Sequence, residues 1–146
     1  MSSDTATRPA LAGIHHFSPT VTDVEASAAW YERVLGLQRV PVPFPHHGDE
    51  DGGHAVLLMD PGVGIAIGLH HHRAGSGDRA DERRTGLDHV AFGVPARTDL
   101  DAWAHRLDDL GVAHSGVIDE TNPIPYSTVV FRDPDNIQLE FVFVEM

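Results

Sequence analysis

Gly13-Ile14-His15-His16-Phe17 and Gly86-Leu87-Asp88-His89-Val90 are two copies of one short pattern: glycine, apolar, polar, histidine, apolar. The offset that sets His16 beside His89 also pairs Val21 with Val94, Trp30 with Trp103, Val34 with Leu107, and Asp60-Pro61 with Asp133-Pro134. Any one match is cheap, but matches spread in register over both halves of a 146-residue chain indicate an internal duplication. The expected organisation is a tail over residues 1–10 and a single domain over 11–146. That domain holds a first module near 11–72, a linker over 73–85 and a second module over 86–146.

Both modules read with the same order of elements. Alternation at Phe17, Pro19, Val21 and at Val90, Phe92, Val94 predicts a first strand with one apolar face, the other carrying His16, Ser18, Thr20 or His89, Ala91, Gly93. A helix follows in each. Asp23 can cap one over about 23–35 and Thr98 or Asp99 one over about 99–110, with Ala26, Ala29, Trp30, Val34 and Leu100, Trp103, Leu107, Leu110 as apolar stripes and Gly36 and Gly111 as stops. Strands are predicted near 37–44, 54–59 and 64–71, then near 112–118, 126–132 and 136–144, with Asp60-Pro61-Gly62 and Asp133-Pro134-Asp135-Asn136 turning the hairpins. A small sheet with one helix leaves its second face bare. The predicted fold class is therefore α+β: two repeated βαβββ modules forming a curved, cup-shaped mixed sheet with the helices outside.

Composition narrows the function. There is no cysteine, so a disulfide, a thiolate metal site and a cysteine nucleophile are all excluded, and any metal must be held by histidine and carboxylate. The formal charge is −12 and all ten basic residues are arginine. Such a chain repels a phosphate backbone, so no nucleic-acid partner is expected. Arg79, Arg83 and Arg84 lie among Asp78, Asp81 and Glu82 and read as part of a solvated linker, and His46, His47, His71 and His72 read as surface residues. No apolar run approaches a membrane span and the first ten residues are polar, so no membrane association and a cytoplasmic location are expected.

Glu140 is the most informative residue. In Leu139-Glu140-Phe141-Val142-Phe143 the apolar residues alternate toward a helix-covered core, which turns Glu140 to the opposite, inner face. A carboxylate there is costly without a counter-charge or a metal. His16 and His89 stand on the inner faces of the two first strands. Two imidazoles and one carboxylate from three strands make a site of the kind that leaves open positions on a metal such as Fe(II), Mn(II), Ni(II) or Zn(II). Read plainly, each histidine is a hydrogen-bonded structural residue, and Trp30 and Trp103 are packing anchors. His15 is expected to face away from His16, the two exchanging roles if the strand slips by one residue. Tyr126, Thr128 and Val130 should share the inner face with Ala55, Leu57 and Ser18: Leu57, Thr128, Val130 and Ser18 as substrate-contacting residues, Tyr126 as a proton donor to a substrate oxygen.

Taken in order, several stretches together resemble the glyoxalase, bleomycin-resistance and extradiol-dioxygenase superfamily, the vicinal oxygen chelate group. They are His16-Phe17-Ser18-Pro19-Thr20-Val21-Thr22-Asp23, Ala29-Trp30-Tyr31, Leu35-Gly36-Leu37, Gly86-Leu87-Asp88-His89-Val90-Ala91-Phe92, and Phe131-Arg132-Asp133-Pro134-Asp135-Asn136 leading to Leu139-Glu140. The resemblance implies metal ligands from the first strand of each module and the last strand of one or both, hence His16, His89 and Glu140. The first-module counterpart of Glu140 is Gly68, which has no side chain to coordinate. That departs from lyases and epimerases of the family that use a fourth ligand, and suits three-ligand members such as the extradiol dioxygenases and fosfomycin thiol transferases. His70, two residues along on the same face, is a further candidate ligand.

Two functions follow from these readings. One is a metal-dependent enzyme, dioxygenase-like or lyase- or transferase-like, acting on a small organic molecule chelated through vicinal oxygens. The other is a metal-free protein that sequesters a small compound in the cup, for which the acidic surface would suit a cationic ligand. The resemblance also implies a homodimer, with the outer strands and the Pro41–Pro45 segment as candidate surfaces.

Overall fold

The computed structural model describes residues 8–45 and 53–145. Most of the N-terminal tail, His46 and His47 thus lie outside the described residues. Helix α1 spans Val24–Leu35. Asp23 caps it, its Oδ1 accepting from the Ala26 amide at 3.1 Å, and Gly36 ends it with a left-handed φ of 70° that a side chain would resist. Helix α2, Arg97–Asp109, begins two residues before the expected start. Neither Thr98 nor Asp99 is its cap residue. Ala96 is, and Asp99 reaches back from inside the helix so that its Oδ2 accepts from the Ala96 amide at 2.9 Å. Alanine cannot return that bond, so only half of the reciprocal cap exists.

The strands are β1 (Gln38–Arg39), β2 (Phe44–Pro45), β3 (His54–Asp60), β4 (Ile65–His71), β5 (His89–Gly93), β6 (Ile118–Glu120), β7 (Tyr126–Arg132) and β8 (Gln138–Val144). They form an α+β fold of two βαβββ modules, arranged as two four-stranded sheets rather than one continuous sheet. In the second sheet the order is β5-β8-β7-β6, with β5 parallel to β8. In the first, β3 pairs β4 on one side and β1 and β2 on the other. Residues 17–20 run parallel to β4, with bridges at Phe17–Ile67 and Thr20–His70, in the place β5 occupies in its own sheet.

Three predicted strands are shorter than expected, each for a local reason. The first breaks into isolated bridges because Pro19 has no amide to give: Phe17, Pro19 and Val21 bond to β4 through Phe17 N and O, Pro19 O and Val21 N. The strand expected at 37–44 divides into β1 and β2 because Pro41 and Pro43 interrupt it. The one expected at 112–118 contracts to Ile118–Glu120 plus a single bridge from His114 to Phe131. Gly111 and Gly116, with φ of 71° and 75°, turn the chain there.

One core joins the modules. Tyr31, Val34, Leu58, Ile67 and Leu69 from the first and Leu100, Leu107, Val129, Phe131, Leu139 and Phe141 from the second are buried in one cluster. Trp103 stacks on Phe141 of its own module, whereas Trp30 stacks on Phe131 of the other, with ring centroids 4.3 Å and 6.2 Å apart. Both tryptophans anchor helices against sheets, as expected.

Polar contacts lock the halves further. Tyr31 donates to Asp133 at 2.8 Å, the Thr22 amide and hydroxyl donate to Asp135 at 3.1 and 2.6 Å, and Arg106 donates to the Val34 and Arg33 carbonyls that end α1 at 3.0 and 2.8 Å. The linker over 73–85 is mostly exposed, with Arg79, Arg83 and Arg84 in solvent as expected, and is pinned at its middle. Ala80 and Asp135 share a backbone bond, and Glu82 takes both Arg132 guanidinium nitrogens, at 2.9 and 2.8 Å.

Candidate functional site

In both sheets, alternation separates a core face from a face bearing the candidate residues. On β8, Leu139 and Phe141 are buried while Glu140 lies opposite them, its register partners being Ala91 on β5 and Val130 on β7. On β4, Ile67 and Leu69 are buried while Gly68 and His70 lie opposite, beside Leu57 and Ala55 of β3. Gly68 pairs with Leu57 as Glu140 pairs with Val130, so the register places glycine where the second module has its carboxylate.

His89 and Glu140 meet. His89 Nε2 stands 3.2 Å from Glu140 Oε1, and the imidazole and carboxylate side chains are 38% and 13% exposed. At the other ring nitrogen, Asp88 Oδ1 lies 2.7 Å from Nδ1. That contact favours the tautomer with its lone pair on Nε2, the arrangement by which an outer carboxylate orients a metal-binding imidazole. A lone pair and a carboxylate oxygen so close repel each other unless a cation sits between them. If that cation is a proton, the pair is an imidazolium–carboxylate contact. If it were a divalent metal, His89 Nε2 and Glu140 Oε1 would both be donors to it. An imidazole and a carboxylate are of the type that would hold such an ion.

His16 is nearby but not part of that pair. It lines a cleft of about 380 Å³ together with His15, Ile14, Gly64, Leu87 and His89. His15 and His16 share a contact between their Nδ1 atoms at 2.8 Å, so His15 does not turn away as the strand alternation predicted. The irregular backbone around Gly13, with φ of 110°, and Pro19 relaxes that alternation. Among the described residues no group of three metal-ligating side chains is drawn together.

A neighbouring hollow of about 290 Å³ also includes His15 and His16, and is lined by Ser18, Phe44, Leu57, Gly68 and His70. Thr128, Val130 and Tyr126 lie on the Glu140 face of β7, but Tyr126 pairs with Val144, four residues along from the Glu140 rung. At strand spacing that is about 13 Å. Asp88 and Phe44 escaped the sequence reading. Asp88 adjoins His89, and alternation would send it to the opposite face, while Phe44 enters only through the broken edge strand.

The family model described as the Glyoxalase/Bleomycin resistance protein/Dioxygenase superfamily matches residues 13–141. A glyoxylase/bleomycin resistance protein/dioxygenase domain from Frankia sp. EAN1pec has a solved structure 34% identical, with TM-score 0.79, over 93% of this chain and 100% of that one. The fold is also similar to a fosfomycin resistance protein, FosX, from Listeria monocytogenes complexed with Mn(II) and sulfate: 17% identity, TM-score 0.64, 94% and 96% covered. A lactoylglutathione lyase from Agrobacterium tumefaciens is similar at 21% identity, TM-score 0.65, with 91% and 94% covered. A search of curated proteins finds no match.

Proposed function

The chain belongs to the glyoxalase/bleomycin resistance protein/dioxygenase superfamily, and on that premise we propose that it is a divalent-metal-dependent enzyme acting on a small organic substrate chelated through neighbouring oxygens. The observation that carries this reading is the His89–Glu140 pair, two donor atoms 3.2 Å apart with the imidazole oriented by Asp88. His16 completes the donor set, with His70 as a further candidate, for Fe(II), Mn(II), Ni(II) or Zn(II). When bound, the metal supplies a Lewis acid that polarises the substrate oxygens. The chain does the rest. Ser18, Leu57, Thr128 and Val130 form the walls that orient the substrate, with Tyr126 at the far rim of the same face. With glycine at position 68, the protein supplies fewer donors, leaving coordination positions for the substrate.

Metal analysis of tag-free protein tests this reading. Near-stoichiometric Fe, Mn, Ni or Zn is the expected result. No metal, even after reconstitution, would overturn it in favour of a sequestering protein.

The working form is a homodimer. Ile14 and Leu87, 90% and 73% exposed, are large apolar side chains at the cleft that holds His16 and His89, and a second copy would cover them. Sedimentation should give twice the monomer mass at micromolar concentration, and a clean monomer would count against it. Among the described residues no helix is long and apolar enough to cross a membrane.

A further inference from the structure

The two halves of the duplication have exchanged chemistry at matching positions. In the second module Glu140 stands beside Ala91, a carboxylate next to a small apolar neighbour. In the first, the corresponding positions are Gly68 and Ser18, and a Cβ built on Gly68 would lie 2.7 Å from the Ser18 hydroxyl and 3.7 Å from His70 Nε2. β4 carries no side chain there, and the Ser18 hydroxyl of the neighbouring segment lies where one would stand. One rung along, His70 pairs with Ala55 as Val142 pairs with Thr128, so an imidazole replaces an apolar residue. The second face presents an acceptor, Glu140. The first presents a hydroxyl and an imidazole, groups able to donate hydrogen bonds.

The hollow around Gly68 follows the same division. Its lining holds Ser18, His70, His15 and His16, with Phe44 and Leu57 as apolar wall, and no Asp or Glu among the described residues. The chain as a whole has 22 acidic residues and a net charge of −12. The net field is screened within about 10 Å at ordinary ionic strength, so short-range donors decide what binds there. At about 290 Å³ the hollow is at the small end of the range for small-molecule sites.

We propose that the hollow formed by Ser18, Gly68 and His70 is the recognition pocket for a small organic carboxylate with one apolar arm, and that Gly68 keeps the Ser18 hydroxyl turned toward that ligand. The carboxylate is held by the Ser18 hydroxyl and by the His15 and His70 imidazoles, His16 being left to the metal, and its arm lies along Phe44 and Leu57. This deepens the proposed function by naming a substrate class, and rests on its reading of this face as the substrate-binding one, but it does not need the metal.

The test is a calorimetric titration of the full chain in chelator with benzoate, phenylacetate and hexanoate, and with the corresponding neutral amides. At least one acid should bind saturably and its amide about tenfold more weakly, the difference a charged hydrogen bond makes. Ser18→Ala should lose about tenfold in affinity for that acid. Gly68→Ala should lose as much, because its methyl displaces the hydroxyl, and the double variant should lose no more than either single one. Ser18 is exposed, so its variant remains decisive if Gly68→Ala does not fold. Absence of saturable binding by every acid, equal binding of acid and amide, an unaffected Ser18→Ala, or losses that add would each overturn the proposal. Acid binding in chelator by a protein that takes up no metal would sink the metal reading alone. Metal uptake without acid binding would sink this one alone.

Discussion

Replacing Glu140 by glutamine is expected to abolish the rise in melting temperature that a divalent metal gives the wild-type protein. A ligand present at 100 times its dissociation constant stabilises the native state by about 2.7 kcal/mol. For a chain of this size that is roughly 8 °C. Glutamine keeps the shape but not the charge that offsets the cation, and even outer-shell changes cost ~10–100-fold in metal affinity. At a 100-fold loss the same metal concentration yields only about 0.4 kcal/mol, roughly 1 °C. Melting both forms in chelator and in Fe(II), Mn(II), Ni(II) or Zn(II) measures the effect. A wild-type midpoint indifferent to every metal would mean that His89 and Glu140 are only an imidazolium–carboxylate contact.

The second large effect lies away from the site. Asp133 is buried and accepts from the Tyr31 hydroxyl at 2.8 Å and from the Asp135 and Ile137 amides, both at 2.9 Å. Asp133→Ala leaves these donors without their acceptor, each costing about 1–3 kcal/mol, so a total loss of about 3–5 kcal/mol is expected in urea unfolding. Asp133→Asn keeps an acceptor and should cost less, and it carries a pH signature. Burial raises the Asp133 carboxyl above its usual range, against the pull of the Ile137 amide and the Tyr31 hydroxyl. For a group raised in the folded state, its contribution is fully present below the unfolded value and is lost as pH rises through the folded one. The gap between wild type and Asp133→Asn should therefore be wider near pH 4 than at pH 7; a gap that widens with pH would refute the assignment. Glu82 acts in the opposite sense. The Arg132 guanidinium holds it at about 2, so its contribution is present above its ordinary 4.5 and fades as pH falls toward 2.

Much of the fold was legible because duplication multiplies weak signals. His16 and His89, Trp30 and Trp103, and the two Asp-Pro turns fixed the order of elements before any one of them was decisive. Alternation also placed Glu140, Gly68, Leu57 and Val130 on their faces, since a strand buried on one side cannot slip by one residue without inverting every side chain. What could not be read was set by local backbone chemistry or by distant contacts. Pro19, Pro41 and Pro43 shorten ladders that hydrophobic alternation alone predicts as continuous. His15 joins His16 where the backbone leaves regular strand geometry. Trp30 reads as a packing anchor, but that it stacks on Phe131 of the other module is a choice made by how two modules pack and by nothing within one of them. Asp88 is a neighbour of His89 in sequence and its partner in space, and alternation argues against that pairing.

The contacts that join the halves also bear on how the chain reaches this structure. Tyr31 and Asp133 are 102 positions apart, and Thr22 and Asp135 are 113 apart. Bonds of such high contact order close late and slow the search for the native state, because the entropy of a long loop is lost before the contact compensates for it. During synthesis, the first half emerges with the Tyr31 hydroxyl and the start of its own helix still waiting for acceptors that are translated more than a hundred residues later. A repeat that began as two like units has thereby become a single cooperative unit in which the N-terminal half cannot finish folding until the C-terminal hairpin has left the ribosome.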